Sequence, residues 1–240
     1  MKGFWGRACA LVIAGGAWVS LSACAHDDST LFVLDVVKGS VSGNTCTFSP
    51  DPTQTFWSSG LLDAALRGAY DATYLVGNQM VSQADPTIPK TETAFVTISH
   101  ANVRITDANG NTIRTYSTVT ASTAFPATGT TPSFIPTQVT TIDEQAMTMI
   151  PGIGPGNTVR VETFVKFFGK TTGGVSVESN EFEFPVDICF GCLPDFSIQG
   201  AHCAKAVANP TVASSAPRPC RLGQDENVDC SLCLGVAVCQ

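Results

Sequence analysis

The sequence predicts a mainly β protein, an antiparallel sandwich followed by a disulfide-rich and mostly irregular C-terminal tail. The first observation is that apolar and polar residues alternate along several short segments, which is the period of a strand with one buried face. The second is that clusters of Gly, Asn and Pro separate these segments, which favours antiparallel strands joined by turns. The third is that seven of the ten cysteines lie between residues 189 and 240.

The predicted strands lie in the body of the chain, between residues 31 and 188. The clearest is TVRVETFVKFFG, where alternate residues from Val159 to Phe167 share one face. Similar short runs occur in the segments LFVLDVVKG, AYDATYLVGN, AFVTISHANVRIT and GVSVESNEFEFPVDI. The run LLDAALRGAY is the one place where a helix is a fair alternative to a strand. Strands do not alternate regularly with helices, which argues against a doubly wound sheet.

Three connections between these strands have clear signals. DANGN (107–111) predicts a hairpin turn, because Asn109 and Gly110 accept the positive φ of tight turns. PGIGPGN (151–157) predicts a second turn. The segment 117–138 is rich in Thr, Ser and Pro and has a weak strand signal. We expect a long loop there, with one edge strand, and a natural place for a binding surface.

The N-terminal segment has the order of an export signal. Lys2 and Arg7 precede the apolar run ACALVIAGGAWVSL, and small residues close it. The run is short for a membrane span, which needs about 20 predominantly apolar residues. The segment therefore predicts secretion rather than a transmembrane helix.

The four residues LSAC, ending at Cys24, match the lipobox of bacterial lipoproteins at every position, and the chain resembles that family. The resemblance implies that the Cys24 sulfur receives a diacylglyceryl group, that cleavage precedes Cys24 and that its new amine is acylated. Two or more acyl chains give stable membrane anchoring. Two alternatives stay open, namely cleavage after Ala25, which would discard Cys24, and no cleavage at all.

Residue 25 is Ala rather than Asp, which in this family favours the outer membrane. More loosely, the chain is similar to envelope lipoproteins of Gram-negative bacteria with an immunoglobulin-like body and a Cys-rich tail. The resemblance implies a location in the cell envelope, anchored to the outer membrane and either periplasmic or surface-exposed. We predict four segments along the chain: a signal peptide at 1–23, an anchor linker at 24–30, the sandwich at 31–188 and the tail at 189–240.

The charge of the mature chain limits its partners. Removal of residues 1–23 leaves 11 basic and 20 acidic residues, a net charge of −9. An acidic chain without a Lys/Arg cluster lacks the surface of a nucleic-acid binder, so no nucleic acid is expected. It also lacks a polybasic patch for anionic lipid, so membrane attachment is expected through the lipid on Cys24.

Eight cysteines follow Cys24, and they allow 105 pairings. The seven in the tail cannot all pair among themselves, so the simplest closed scheme bonds Cys46 to one of them. We expect Cys189 or Cys192, because they directly follow the last strand. The alternative is an intermolecular bond from a leftover thiol. The disulfide candidates are Cys46, Cys189, Cys192, Cys203, Cys220, Cys230, Cys233 and Cys239.

Two of these pairs, Cys189/Cys192 and Cys230/Cys233, have the CxxC spacing of zinc sites and of redox-active disulfides. The export signal favours structural disulfides, since zinc thiolates need a reducing compartment. The sequence LPDF after Cys192 is also a poor helix start for a redox motif. We therefore predict no metal and no cofactor.

No group of residues indicates catalysis. Of the three histidines, His26 lies in the predicted linker, and His100 and His202 have no spaced partner. Glu181 and Glu183 share a strand face, which indicates a solvated face rather than a carboxylate pair. The acidic run 225–229 is also compatible with a calcium ion.

We predict a protein without catalytic residues, a non-enzymatic binding or structural module of the cell envelope with a protein or a glycan as partner. The alternative is an envelope thiol-redox or metal-binding protein that uses the CxxC pairs.

Overall fold

The computed structural model describes residues 30–43, 45–82, 92–195 and 219–229. These ranges form strands β1 (Leu31–Val37), β2 (Ser40–Ser42), β3 (Thr45–Thr47), β4 (Phe56–Trp57), β5 (Gly60–Asp63), β6 (Tyr70–Asn78), β7 (Val96–Asp107), β8 (Thr112–Ala124), β9 (Ser133–Ile142), β10 (Val159–Thr171), β11 (Ser176–Glu178), β12 (Phe182–Cys189), β13 (Pro194–Asp195) and β14 (Val228–Asp229), with one helix, α1 (Glu144–Met149). The predicted mainly β class is confirmed.

Two sheets make up the body of the molecule. The smaller has the strand order β4-β1-β6-β9, and all its neighbours are antiparallel. The larger has the order β5-β12-β10-β7-β8, with β11 also paired to β10. Its one parallel pair is β5 with β12. The antiparallel sandwich is therefore confirmed, with a parallel edge strand added to the larger sheet.

The core lies between the two sheets. Alternate residues of β10 are buried, from Val161 to Phe167, as the sequence predicts. Phe167 packs edge-on against Tyr74 of β6, with ring centroids 5.6 Å apart. The one polar residue in that row of β10, Thr163, donates a hydrogen bond of 2.6 Å to the carbonyl of Phe184. The row is thus buried without an unsatisfied hydroxyl.

The prediction of a long loop at 117–138 is wrong. It is mostly strand, because β8 continues to Ala124, β9 begins at Ser133, and only residues 125–132 connect them. Both strands lie at sheet edges, where polar side chains and Pro136 are tolerated. Edge strands with half-exposed faces lack the strong apolar alternation on which the prediction depended.

The predicted turns are present at both positions. The turn at 107–111 joins β7 to β8, with Gly110 at φ +82°. The Asp107 carboxylate accepts hydrogen bonds of 2.9 Å from the backbone N–H groups of Asn109 and Asn111. The run LLDAALRGAY forms β5, a turn and the start of β6 rather than a helix. Helix α1 was not predicted, although Asp143 caps its first turn by accepting a hydrogen bond of 2.7 Å from Ala146 N–H.

Several predicted residues lie outside the described ranges. They include Cys24, the whole segment 1–23, and the cysteines 203, 230, 233 and 239. Within the ranges that are described, no helix is long and apolar enough to cross a bilayer.

Candidate functional site at the docked tail

The sandwich has two distinct ends, because β1 runs from Leu31 at one end to Val37 at the other. The second end also carries the last residue of β12, Cys189, and the described part of the tail at 219–229. We call this the tail end. The chemically distinctive side chains that the structure brings together lie mainly here.

The tail is attached to the body by a disulfide between Cys46 and Cys220, whose Cα atoms are 5.4 Å apart. A bond from Cys46 to a tail cysteine was predicted, but the expected partner was wrong. Cys189 instead pairs with Cys192, three residues later. The reason is topological, since Cys46 lies on the β2–β3 hairpin beyond β1, whereas Cys189 ends β12 in the other sheet.

The carboxylate of Asp225 is the centre of the polar contact between tail and body. It accepts hydrogen bonds from Leu61 N–H at 2.9 Å, from the Tyr70 hydroxyl at 3.0 Å and from the Gln224 amide at 3.0 Å. Asp225 has φ +62°, a left-handed conformation that Asp tolerates better than most residues. Burial raises the pKa of Asp225. Burial, followed by the Asp225 charge, raises the pKa of Tyr70 well above 10.

Two further tail side chains bind the backbone of β6. The Gln224 amide accepts a hydrogen bond of 3.0 Å from Asp71 N–H and donates one of 2.6 Å to the Asp71 carbonyl. Arg221 donates to the same carbonyl at 2.7 Å and to the Thr73 hydroxyl at 3.0 Å. Burial lowers the pKa of Arg221. Both Asp225 oxygens have protein donors, so the structure gives the acidic run 225–229 a packing role at its first residue rather than a calcium-binding one.

An open cavity of about 580 Å³ lies between the tail and the β2–β3 hairpin; we call it the tail pocket. The Lys38 ammonium lies 3.2 Å from the Glu226 carboxylate and 4.6 Å from the centroid of the Trp57 ring. The lining of the tail pocket is rich in amide, hydroxyl and charged groups: Lys38, Ser40, Gln54, Thr55, Glu226 and Asn227. This set can bind a polar, hydroxyl-rich surface, and it contains no His or Cys among the described lining residues.

The CxxC turn forms a second feature of the tail end. Cys189 is buried and Cys192 is exposed. The fully buried Asp63, at the end of β5, accepts hydrogen bonds from Gly191 N–H at 2.7 Å and from Leu193 N–H at 3.0 Å. A carboxylate oxygen of Asp63 and the two sulfurs lie within 4.8 Å of one another.

Sequence reasoning missed Asp63, Tyr70 and Asp225 as members of this region. They are far apart in the chain, and no spacing pattern joins them. A weak signal existed for Asp63, because it is an acidic residue inside the apolar run LLDAAL. A charged residue in a buried strand needs partners, and here those partners are backbone N–H groups.

The other predicted candidates lie away from the tail end. Glu181 accepts a hydrogen bond of 2.7 Å from Arg104, and Glu183 is exposed opposite the buried Phe184. This confirms the solvated face predicted for the two glutamates. His100 stacks on Phe168 with ring centroids 4.9 Å apart on the outer face of the larger sheet.

No family model matches the chain, and no curated protein matches it. Among solved structures, it is similar to the solution structure of a protein assigned to the late embryogenesis abundant (LEA) group. The TM-score is 0.34 and the sequence identity 10%, over 67% of this chain and 71% of that one. A likeness this distant carries no functional information about this chain.

Proposed function

We propose that the chain is an exported lipoprotein of the bacterial cell envelope, anchored to the outer membrane through Cys24. Its sandwich is a non-enzymatic module that binds a protein or a glycan. The motif LSAC supports the anchor, and the apolar run before it supports export. The mature chain has a charge of −9, so attachment is covalent rather than electrostatic.

The observation that carries this proposal is the Cys46–Cys220 disulfide. Structural disulfides persist in oxidising compartments, which exported chains reach and cytosolic chains do not. This bond joins residues 174 apart and holds the tail over the end of the sandwich. It also fixes one wall of the tail pocket, because Pro219 lines the pocket and directly precedes Cys220.

The anchor is tested by growing cells with labelled palmitate and comparing three forms of the full chain. The native protein is expected to carry the label, and Cys24→Ser is expected to lose it. Cys9→Ser is the matched control, since Cys9 lies inside the predicted signal segment and its loss leaves the label in place. An unlabelled native protein would overturn the anchored part of the proposal.

The binding part of the proposal is tested with the purified mature protein on an array of bacterial envelope glycans and by cross-linking to envelope proteins. A partner that uses the tail pocket is expected to be lost in Gln54→Ala combined with Asn227→Ala. Thr123→Ala, an exposed change on β8, is the control and leaves binding unchanged. Equal affinity in the native protein and both variants would show that the partner does not use the tail pocket.

A second candidate function is an envelope thiol-redox or metal-binding protein. One observation favours it, namely that the exposed Cys192, the buried Cys189 and the Asp63 carboxylate lie together. This candidate predicts exchange of the Cys189–Cys192 disulfide with small thiols under conditions where Cys46–Cys220 stays intact. It fails if mass spectrometry finds all eight cysteines after Cys24 stably paired and metal analysis of the purified protein is blank.

A further inference from the structure

The end of the sandwich opposite the tail exposes several large apolar side chains. Phe125 is 57% exposed, Val175 is 63% exposed and Val81 is 49% exposed. Phe125 packs edge-on against the half-buried Phe95, with ring centroids 5.4 Å apart. We call this surface the apolar end and define it by Met80, Val81, Phe95, Phe125, Val175 and Val177.

The connections that meet at this end are held in one place by a buried amide. Asn78, the last residue of β6, donates hydrogen bonds to the carbonyls of Ala94 at 2.9 Å and Phe125 at 3.0 Å. The Asn78 amide oxygen accepts a hydrogen bond of 3.0 Å from Met80 N–H. The Met80 carbonyl in turn accepts one of 2.8 Å from Ala127 N–H. The segments that carry Met80 and Phe125 are therefore fixed relative to one another.

A groove of about 570 Å³ crosses the apolar end. Its lining is mostly apolar and includes Met80, Val81, Ala94, Val175 and Val177. Contiguous apolar surface of this kind marks contact with another protein, a membrane or a ligand.

The short length of chain between this groove and Cys24 favours a membrane as the surface that the groove contacts. Thr30, the first described residue, lines the groove, and Cys24 precedes it by six residues. Six residues span at most about 20 Å when fully extended, because each adds about 3.3–3.6 Å. A lipid attached to Cys24 is therefore held close to the apolar end. The tail end is farther away by the length of β1, seven residues or about 20 Å.

We propose that the apolar end lies on the bilayer to which Cys24 is attached, with Val81, Phe125 and Val175 at the boundary between headgroups and acyl chains. This inference rests on the proposed lipid anchor. The acyl chains supply the attachment, and the apolar contact sets the orientation of the sandwich. The tail pocket then faces away from the membrane, toward its partner.

The position of tryptophan allows a direct test with the full acylated protein in vesicles of phosphatidylethanolamine and phosphatidylglycerol. Trp57 is the one tryptophan after Cys24, and it lies at the tail end, opposite Val36 of β1. The native protein therefore reports on the tail end. The double variant Trp57→Phe with Phe125→Trp reports on the apolar end.

Lipids brominated near the headgroup quench an indole that lies in the boundary region. In the double variant we expect fluorescence to fall by about twofold, since interfacial apolar side chains lie about 5–10 Å into that region. In the native protein we expect little change. Quenching of Trp57 instead, or of neither indole in a protein that carries its acyl chains, would overturn the inference.

Two matched charged substitutions distinguish contact of the apolar end with the bilayer from a general effect of added charge. Val175→Glu, added to the double variant, is expected to reduce the quenching. Val119→Glu is the control, because Val119 is 87% exposed on β8 and lies away from the apolar end. Equal quenching in both would contradict the docking.

The alternative occupant is a second copy of the chain. Sedimentation of the Cys24→Ser protein is expected to show a monomer, and a dimer that Val175→Glu dissociates would overturn the membrane assignment. Absence of palmitate label in the native protein is a failure of the proposed anchor itself. A labelled protein without quenching at position 125 contradicts only this further inference.

Discussion

The Tyr70 hydroxyl donates a hydrogen bond of 3.0 Å to the carboxylate of Asp225, which lies 155 residues later in the chain. Tyr70 begins β6, an inner strand of the smaller sheet, and Asp225 belongs to the tail. The contact therefore joins the core of the sandwich to the described tail residues 219–229, whose one strand is the two-residue β14.

Replacement of Asp225 by Ala is expected to lower the free energy of unfolding by about 2–4 kcal/mol. The change leaves Leu61 N–H and the Tyr70 hydroxyl without their acceptor, and each unsatisfied buried donor costs about 1–3 kcal/mol. Urea denaturation at pH 7 measures the loss. Asp51→Ala is the control, because Asp51 is exposed and a change there is expected to cost clearly less than the change at Asp225. Equal losses would show that the Asp225 contact does not stabilise the tail.

The three tyrosines of the chain are expected to stay protonated in the native protein at pH values where free tyrosine ionises. Burial is the main cause that raises the pKa of Tyr70, Tyr74 and Tyr116 above the ordinary value of 10. Absorbance near 295 nm measures phenolate directly. The protein unfolded in urea provides the reference, with half of its tyrosine ionised at about pH 10.

The raised tyrosine pKa values also determine how stability changes at alkaline pH. The unfolded chain releases its tyrosine protons near pH 10, whereas the folded chain retains them to higher pH. Stability from this source is therefore complete below pH 10 and falls as the pH rises above it. Native protein that is half ionised at pH 10 would contradict the burial of these side chains.

The two described disulfides are expected to differ in their contribution to stability. Cys46→Ser with Cys220→Ser opens a loop closed over 174 residues and is expected to cost about 5 kcal/mol in the chain-entropy model. Cys189→Ser with Cys192→Ser opens a loop closed over three residues and is expected to cost about 2 kcal/mol. Urea denaturation of both double variants measures the difference. A larger loss from the second pair would show that the hydrogen bonds between Asp63 and the CxxC turn, rather than chain entropy, dominate the contribution.

Gly60 is expected to tolerate no side chain. A Cβ at this position would meet the ring and hydroxyl of Tyr70. Gly60→Ala is therefore expected to displace Tyr70 from Asp225 and to lower the free energy of unfolding by about 1–3 kcal/mol. Gly154→Ala is the matched control, since a Cβ there would meet nothing within 4 Å. Thermal unfolding of the two variants compares the costs, and equal midpoints would contradict the close packing.

Much of the fold was predictable because its central strands keep one face in the core. The residues from Val159 to Phe167 alternate as one buried face requires, and Asn109-Gly110 marks the hairpin turn that the structure contains. Strand β6 was also found, although it is buried on both faces. Its outer face is covered in part by Arg221 and Gln224 of the tail, which local sequence does not show.

The errors have a common physical cause, which is contact between distant parts of the chain. Strands β8 and β9 form at sheet edges by pairing with β7 and β6, so Thr, Ser and Pro136 do not prevent them. The partner of Cys46 depends on where the β2–β3 hairpin meets the tail, and no rule of spacing chooses one pairing among 105. For the same reason, Asp63, Tyr70 and Asp225 could not be grouped from sequence.

The Cys46–Cys220 bond also determines how the molecule carries mechanical load. In a protein tethered at Cys24, a pull on a partner held at Cys220 passes through the disulfide, the β2–β3 hairpin and β1. This covalent path omits every residue from β4 to β12. With the proposed anchor at Cys24 and a partner bound at the tail, tension between the two would follow this path and bypass the larger sheet.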